Sequence, residues 1–241
     1  MPGIPPERQS AAVSVLKDWP HICLGIIPCL NEAAAIGPLV RAVREHLPHV
    51  CVVDDGSLDG TAALAQQAGA HVICLSVTQG KGIALQKGWD YARQQGFRWA
   101  LMLDGDGQHC PGDIPAFFET AEKVHAALVI GDRMATARQN MPRLRRWVNS
   151  WMSRRISKSA GMVLPDTQSG FRLLDLEALA SLSIAAKHYE IESDLVLQMA
   201  RSGLRIEFVP IRVIYAGERS KINPLTDSIR WLRWWTKSMC R

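Results

Sequence analysis

Asp104-Gly105-Asp106-Gly107-Gln108 sets two carboxylates two residues apart and an amide oxygen two further on. Hard oxygen donors in this arrangement suit Mg²⁺ or Mn²⁺, which also take oxygens from a substrate phosphate. The glycines let the backbone turn and a ligand come close. An EF-hand is excluded, because the loop lacks the Gly and Glu required at later positions. A second acidic pair, Asp54-Asp55, runs into Gly56-Ser57. Carboxylates at such a point accept from ribose hydroxyls or a base N–H, while Ser57 and Asp59 suit helix capping. Lys81, in Gln79-Gly80-Lys81-Gly82, would face a phosphate with help from a helix N-terminus, although the spacing is not that of a Walker A loop. Asp166-Thr167-Gln168-Ser169-Gly170-Phe171-Arg172 and Arg219-Ser220-Lys221 add cationic groups able to clamp a diphosphate and offset charge on a leaving group. Glu192 and Asp194 are the candidates for a general base. They lie two apart on one predicted helix, so only one is expected to face inward.

Such groups need a scaffold that gathers them. Apolar runs at 22–27, 50–53, 72–75, 99–103 and 127–130 read as strands, and they alternate with helical periodicity over 33–46, 61–68, 82–95 and 111–124. Strands alternating with helices of this length predict an α/β fold with a mostly parallel, doubly wound sheet. Ligands of such sheets bind at the carboxyl ends of the strands. Pro28–Glu32, Asp54–Ser57 and Asp104–Gln108 all fall there. The second half is less regular: a basic helix over 143–159, a helix over 190–202, short strands at 206–209 and 211–215 split by Pro210, and an amphipathic helix from Pro224 onward.

The 241 residues are 47% apolar and 21% charged, which excludes wholesale disorder. No run reaches the roughly 18 apolar residues of a membrane span, and Met1–Ser10 has no apolar stretch of the secretory type. The six cysteines form no CxxC pair, and Cys23, Cys51 and Cys74 are expected as buried thiols in strands. Charge is unevenly divided. Residues 1–132 hold 9 basic and 14 acidic side chains, a net −5, and residues 133–241 hold 19 and 9, a net +10. The second half therefore calls for an anionic partner. Five of the eight tryptophans sit in its two basic stretches, Trp147 and Trp151 in one, and Trp231, Trp234 and Trp235 in the other. That composition suits an anionic membrane surface and would also suit single-stranded nucleic acid.

Ile27-Pro28-Cys29-Leu30-Asn31-Glu32, Val53-Asp54-Asp55-Gly56-Ser57, Gly80-Lys81-Gly82, Asp104–Gln108, Gly131-Asp132-Arg133, Asp166–Arg172 and Arg219-Ser220-Lys221 follow one another along the chain. In this order they resemble the motifs of inverting family 2 glycosyltransferases of the GT-A fold, on the branch of the dolichyl-phosphate mannose and glucose synthases and their bacterial polyprenyl-phosphate relatives. The likeness runs from about His21 to Lys221. It implies a nucleotide-sugar donor, UDP- or GDP-linked, a lipid phosphate acceptor, a divalent metal, and action at the cytoplasmic membrane face, with no nucleic acid as partner. Pro28, Glu32 and Asp55 would meet the nucleoside, with Asp54 beside them. Lys81 would lie near the base or diphosphate, and Asp104, Asp106 and Gln108 would hold the metal. Arg133, Arg172, Arg219 and Lys221 would meet phosphates, and Asp166 and Gln168 would lie near the transferred sugar. Asp104, Asp106, Arg172, Glu192 and Asp194 are the expected catalytic set.

The expected organisation is an extension over 1–20, the transferase domain over 21–221 and an interfacial helix over 222–241. Asp132 departs from the family pattern, which has a small residue there, and the C-terminal membrane spans of many relatives have no counterpart. Three alternatives stand beside this reading: a hydroxyl acceptor on a glycolipid or other glycan, a sugar-nucleotide pyrophosphorylase, and a nucleic-acid-binding module.

Overall fold

The computed structural model describes residues 18–136, 141–214 and 224–239. Its strands are β1 (Cys23–Cys29), β2 (Val50–Asp54), β3 (His71–Cys74), β4 (Trp99–Met102), β5 (Leu128–Asp132), β6 (Arg172–Asp175) and β7 (Ile206–Pro210). They form one sheet in the order β3-β2-β1-β4-β6-β5-β7. All pairings are parallel except those of β6, which runs antiparallel to both β4 and β5. The helices are α1 (Ala33–Arg44), α2 (Thr61–Gln67), α3 (Lys81–Gln94), α4 (Ile114–Val124), α5 (Arg143–Ala160), α6 (Leu176–Ala180), α7 (Ile191–Arg201) and α8 (Pro224–Met239). The expected architecture stands.

Both faces of the sheet are covered, which is why its strands read as continuous apolar runs. Along β1, Cys23, Ile27 and Cys29 enter one core with Val40, Phe117 and Phe171. Leu24 and Ile26 enter the other, with Trp89, Met102 and Leu195. The alternation is the two-residue period of a strand buried on both sides. Strand order reverses between β1 and β4, the switch point at which α/β sheets open a crevice. Pro28 belongs to β1 rather than ending it, opposite Val53 of β2. On the other side the ladder with β4 stops at Ile26–Met102. The N–H that proline lacks is therefore not needed there.

Three expectations are corrected. Cys74 is exposed, because β3 is the edge strand, whereas Cys23 and Cys51 are buried. Burial pushes the Cys51 thiol up to about 12 and the Cys23 thiol up as well, so neither is a reactive thiolate. The strand expected over 211–215 is reduced, among the described residues, to a single bridge between Val213 and His109. The domain boundary at residue 20 falls inside the packed body, since Trp19 is 2% exposed and stacks on Phe118 with ring centroids 4.6 Å apart.

The two basic helices lie side by side and point the same way. Trp151 of α5 meets Trp231 of α8 at 5.5 Å, and eight residues further along each helix Ser159 Oγ lies 3.3 Å from Met239 Sδ. Trp231 is only 3% exposed. It stacks on Trp235, and its indole N–H donates to Ser193 Oγ of α7 at 2.9 Å. Trp231 is therefore a docking residue of α8, not an interfacial one as expected. Among the described residues no helix is long and apolar enough to cross a membrane. Trp231→Ala removes a buried indole and its hydrogen bond, and should lower unfolding stability in urea by about 3–5 kcal/mol. A loss under about 1 kcal/mol would show that α8 is not held by this residue.

Candidate active site

The strand-end motifs converge at the switch point. The main chain leaves β1 at Cys29, whose carbonyl accepts the Asp55 N–H at 2.8 Å. Past β4, the Leu103 N–H donates to the Ile26 carbonyl at 3.1 Å and sets the acidic loop beside the end of β1. Glu32 is the N-cap residue of α1, and its N–H donates to Thr61 Oγ1 at the start of α2. Asp59 ties the same two helix starts together, accepting from the Ala33 and Thr61 amides at 3.0 and 3.1 Å. The N-cap position of α2 is Gly60 rather than Asp59 or Ser57, so Asp59 braces the helix starts from one residue outside the cap.

Asp54 and Asp55 are both buried and both hold backbone. Asp54 Oδ1 accepts from the Ser57 amide at 3.0 Å and from its hydroxyl. The two oxygens of Asp55 accept from the Gln79 and Gly80 amides at 2.7 and 2.8 Å. Asp55 thereby fixes the loop that presents Lys81. The other wall of that loop is the segment at 187–188. Gly80 has φ +103°, and a Cβ there would lie 2.2 Å from His188 Nδ1, so no other residue fits.

Lys81 is the first residue of α3, and its ammonium lies between two carboxylates. Nζ is 2.5 Å from Asp104 Oδ1 and also donates to Glu192 Oε1. The ring of Tyr189 lies 5.7 Å away. Burial alone would lower the lysine and raise the aspartate. The ion pairing outweighs it and carries Lys81 above its usual range, while Lys81 and His109 hold Asp104 well below its own. Asp104 Oδ2 faces His109 Nε2 at 3.3 Å. Asp106 moves the other way, pushed up by burial and by the charge of Asp104. Its Oδ1 accepts the Gln108 amide at 3.0 Å.

The donors of Asp104, Asp106 and Gln108 fit a hard divalent cation: all are oxygens, and two of the three side chains are carboxylates two residues apart on one loop. Among the described residues, no three His, Cys, Asp or Glu side chains converge into a ready cage. The remaining oxygens would have to come from a bound phosphate, as is usual for Mg²⁺.

The expected phosphate-binding arginines serve other ends. Arg133 is buried and bidentate on Asp166, at 2.7 and 2.9 Å. Asp166 lies below its usual range because that guanidinium outweighs its burial. Arg172 is fully buried and donates to the carbonyls of Ser169, Glu192 and Thr167 at 2.6, 2.7 and 2.8 Å. Neither presents a free fork to a phosphate. Gln168 is fixed by Thr167 Oγ1 and Ser193 Oγ at 2.9 and 2.8 Å. Arg219 and Lys221 lie outside the described residues.

Both candidates for a general base are buried, but only one of them faces the Lys81 cluster. Glu192 reaches Lys81. Asp194 faces away from that cluster, accepting from the Ala185 and Ala186 amides and from Gln198. Asp132, the departure from the family pattern, accepts from the Met134 and Ala135 amides and braces the turn after β5.

His109 and Tyr189 were not singled out in the sequence, although His109 directly follows the acidic motif. Gly170 also belongs to the site. A Cβ on it would stand 2.4 Å from Asp104 Oδ1, so the Asp104 carboxylate rests on bare backbone.

A model described as Glycosyl transferase family 2 matches residues 26–182. An undecaprenyl-phosphate mannosyltransferase of Micrococcus luteus is 30% identical over 204 residues, covering 79% of this chain and 80% of its own. A UDP-N-acetylglucosamine–dolichyl-phosphate N-acetylglucosaminyltransferase of Methanococcus voltae is 30% identical over 212 residues, covering 79% of this chain and 84% of its own. Among solved structures, glucosyl-3-phosphoglycerate synthase from Mycobacterium tuberculosis, in complex with Mn²⁺, UDP-glucose and glycerol 3-phosphate, superposes with a TM-score of 0.65 at 19% identity. The match covers 97% of this chain and 82% of that one, a likeness of fold.

Replacing Arg133 by Met leaves the Asp166 carboxylate buried without its partner and should cost about 3–5 kcal/mol of stability by chemical denaturation. The Arg133→Met, Asp166→Leu double variant should recover a large part of that loss. A single variant as stable as the original would show that the pair does not hold this loop.

Proposed function

The chain belongs to glycosyltransferase family 2, and we propose that it moves a sugar from a nucleotide donor to a polyprenyl phosphate, with inversion at the anomeric carbon. The state of the two candidate bases supports this acceptor class. A hydroxyl acceptor must lose a proton to a carboxylate as it attacks. Glu192 is paired with Lys81, and Asp194 is turned onto the 185–186 backbone. A phosphate monoester has its second pKa near 6, so it is largely dianionic near pH 7 and attacks without a base. The names of the two relatives quoted above, both transferases to polyprenyl-type phosphates, support the same class.

The donor's nucleoside would lie along Pro28, Glu32 and Asp55, at the strand ends where α/β sheets take nucleotides. Asp104, Asp106 and Gln108 would hold a divalent cation, Mg²⁺ or Mn²⁺, which supplies Lewis-acid neutralisation of the departing nucleoside diphosphate. Asp55 fixes the loop of Lys81, and Lys81 brings a positive charge to the leaving-group side of the pocket. Gln168, held by Thr167 and Ser193, would lie near the transferred sugar. Arg219 and Lys221 are proposed for the acceptor or donor phosphates, a role that Arg133 and Arg172 do not fill.

The lipid acceptor implies work at a bilayer surface. On α5, Leu144 is 69% and Trp147 65% exposed. Ile229 and Leu232 are exposed on α8, at the same end of the parallel pair. Exposed Arg143, Arg230 and Arg233 flank them, so that end joins apolar and basic groups in the manner of an interfacial anchor. Six residues along α5 from Trp147, about 9 Å of helix, Ser153 meets Thr167 beside Asp166. One rigid element thus joins the exposed tip to the site.

Transfer is tested by incubating the chain with UDP- and GDP-sugars and Mg²⁺ or Mn²⁺, with and without a short polyprenyl phosphate. Release of nucleoside diphosphate should require the lipid phosphate, and Asp106→Ala should reduce it by about 10²-fold or more. Release without the lipid would move the acceptor to a hydroxyl. Surface attachment is read by co-sedimentation with vesicles containing phosphatidylglycerol. Leu144→Ser with Trp147→Ser should weaken it at least about tenfold, and undiminished binding would rule this tip out as the anchor.

A further inference from the structure

We propose that Lys81 occupies, at Asp104, the place a divalent cation would take, and that Glu192 is the second seat on which its ammonium stays when the cation enters. The inference rests on the reading of Asp104 and Asp106 as metal-binding residues.

Lys81 is poorly suited to its position unless it has such a task. It stands at the first position of α3, where the helix dipole disfavours a cation. Its side chain is only 13% exposed, and desolvation of an ammonium is costly. It stays charged there only because Asp104 and Glu192 flank it. The main chain around it is fixed: Asp55 holds the Gln79 and Gly80 amides, and the Ile83 N–H donates to the Lys187 carbonyl at 3.2 Å. What remains free to move is the four-carbon stem of the lysine itself.

Both oxygens of Asp104 are engaged, Oδ1 by Lys81 and Oδ2 by His109. A magnesium ion binds a carboxylate oxygen at about 2.0–2.1 Å. An ammonium 2.5 Å from the same oxygen competes for its lone pairs and repels the ion. The charges favour an exchange of partners. In this cluster Asp104, Asp106, Glu192 and Asp166 face the cations of Lys81, Arg133 and Arg172, and of these three cations Lys81 alone pairs with Asp104. When Lys81 pairs with Glu192 alone, Asp104 Oδ1 is left beside Asp106 without an ammonium on it, and a cation is favoured there. The main chain of Glu192 is held by the Arg172 bond to its carbonyl, which keeps its carboxylate within reach of Lys81. Glu192 is thus a positioning residue: it keeps Lys81 in the pocket after the exchange.

The test is Mn²⁺ binding to the full chain without nucleotide, followed by electron paramagnetic resonance. Lys81→Met should bind Mn²⁺ about tenfold more tightly than the unaltered chain, and Glu192→Gln about tenfold more weakly, since its ammonium then has Asp104 alone. The double variant separates this exchange from a general field effect. With Lys81 gone, Glu192→Gln should change Mn²⁺ affinity by less than about threefold. Unchanged or weaker binding by Lys81→Met overturns the proposal, as does a Glu192→Gln effect of equal size in both backgrounds. If Lys81→Met does not fold, a crystal of the unaltered chain soaked in Mg²⁺ decides: Nζ should leave Asp104 and keep Glu192, and an unmoved Nζ beside a bound ion overturns the exchange. Saturable Mn²⁺ binding that Asp106→Ala abolishes and Lys81→Met leaves unchanged fails the exchange alone. No saturable binding by any variant fails the metal reading and the exchange with it.

Discussion

A single buried guanidinium organises this molecule. Arg172 begins β6, the strand that runs against its neighbours, and its three donating nitrogens end on the carbonyls of Ser169, Thr167 and Glu192. A buried charge is expensive unless each of its donors is met. Here they are met by main chain, so the charge stitches the 167–170 turn to the first turn of α7. The consequences spread from there. Asp166 is set to receive Arg133, Gly170 lies under Asp104, and Glu192 points at Lys81. An arginine that met a phosphate directly could not also fix this geometry.

The same turn links the site to the outer helices. Thr167 takes part in a hydrogen bond with Ser153 of α5. Gln168 donates to Ser193 Oγ, which also receives the Trp231 indole N–H of α8. From the basic surface to the polar floor of the pocket there is an unbroken run of packed and hydrogen-bonded groups. In such a network, shifts of α8 and of Gln168 are coupled, because both depend on one hydroxyl.

The sheet and most helices were legible because both rest on periodicity, which survives without tertiary information. The strand ends were legible too, since acidic and glycine-rich motifs followed apolar runs at each. What could not be read was the partner of each charge. Arg133 and Arg172 look like surface cations in the chain and are buried pairs and braces in the fold. Spacing predicted that Glu192 and Asp194 face different ways, but which one meets the site, and that the other holds the 185–186 backbone, is set by how α7 docks. Trp231 differs from Trp147 in no local feature, and only the seat of α8 against Ser193 makes one a docking residue and the other exposed. His109 escaped notice for a related reason: a histidine beside an acidic motif gains meaning only when the bridge to Val213 turns it onto Asp104.

This also revises what the charge asymmetry means. The net +10 of the second half calls for an anionic partner, but not all of its described arginines face outward. Arg133 and Arg172 lie inside, matched to Asp166 and to carbonyls, and add nothing to the outer field at close range. Arg143, Arg154, Arg155, Lys158, Arg230, Arg233 and Lys237 are exposed, all on α5 and α8. Among the described residues, α5 and α8 thus gather much of the exposed positive charge of the second half, with Lys187, Arg201, Arg205 and Arg212 exposed elsewhere, while carboxylates gather in the pocket between β1 and β4. On the proposed function, an anionic surface and a divalent cation would be drawn to different places on the same molecule, and a lipid phosphate would pass from the first toward the second. The separation suits an acceptor that stays in a bilayer while its head group reaches a metal-bearing pocket. It does not suit a nucleic acid, whose backbone would meet the basic pair and then be repelled by the acidic strand ends.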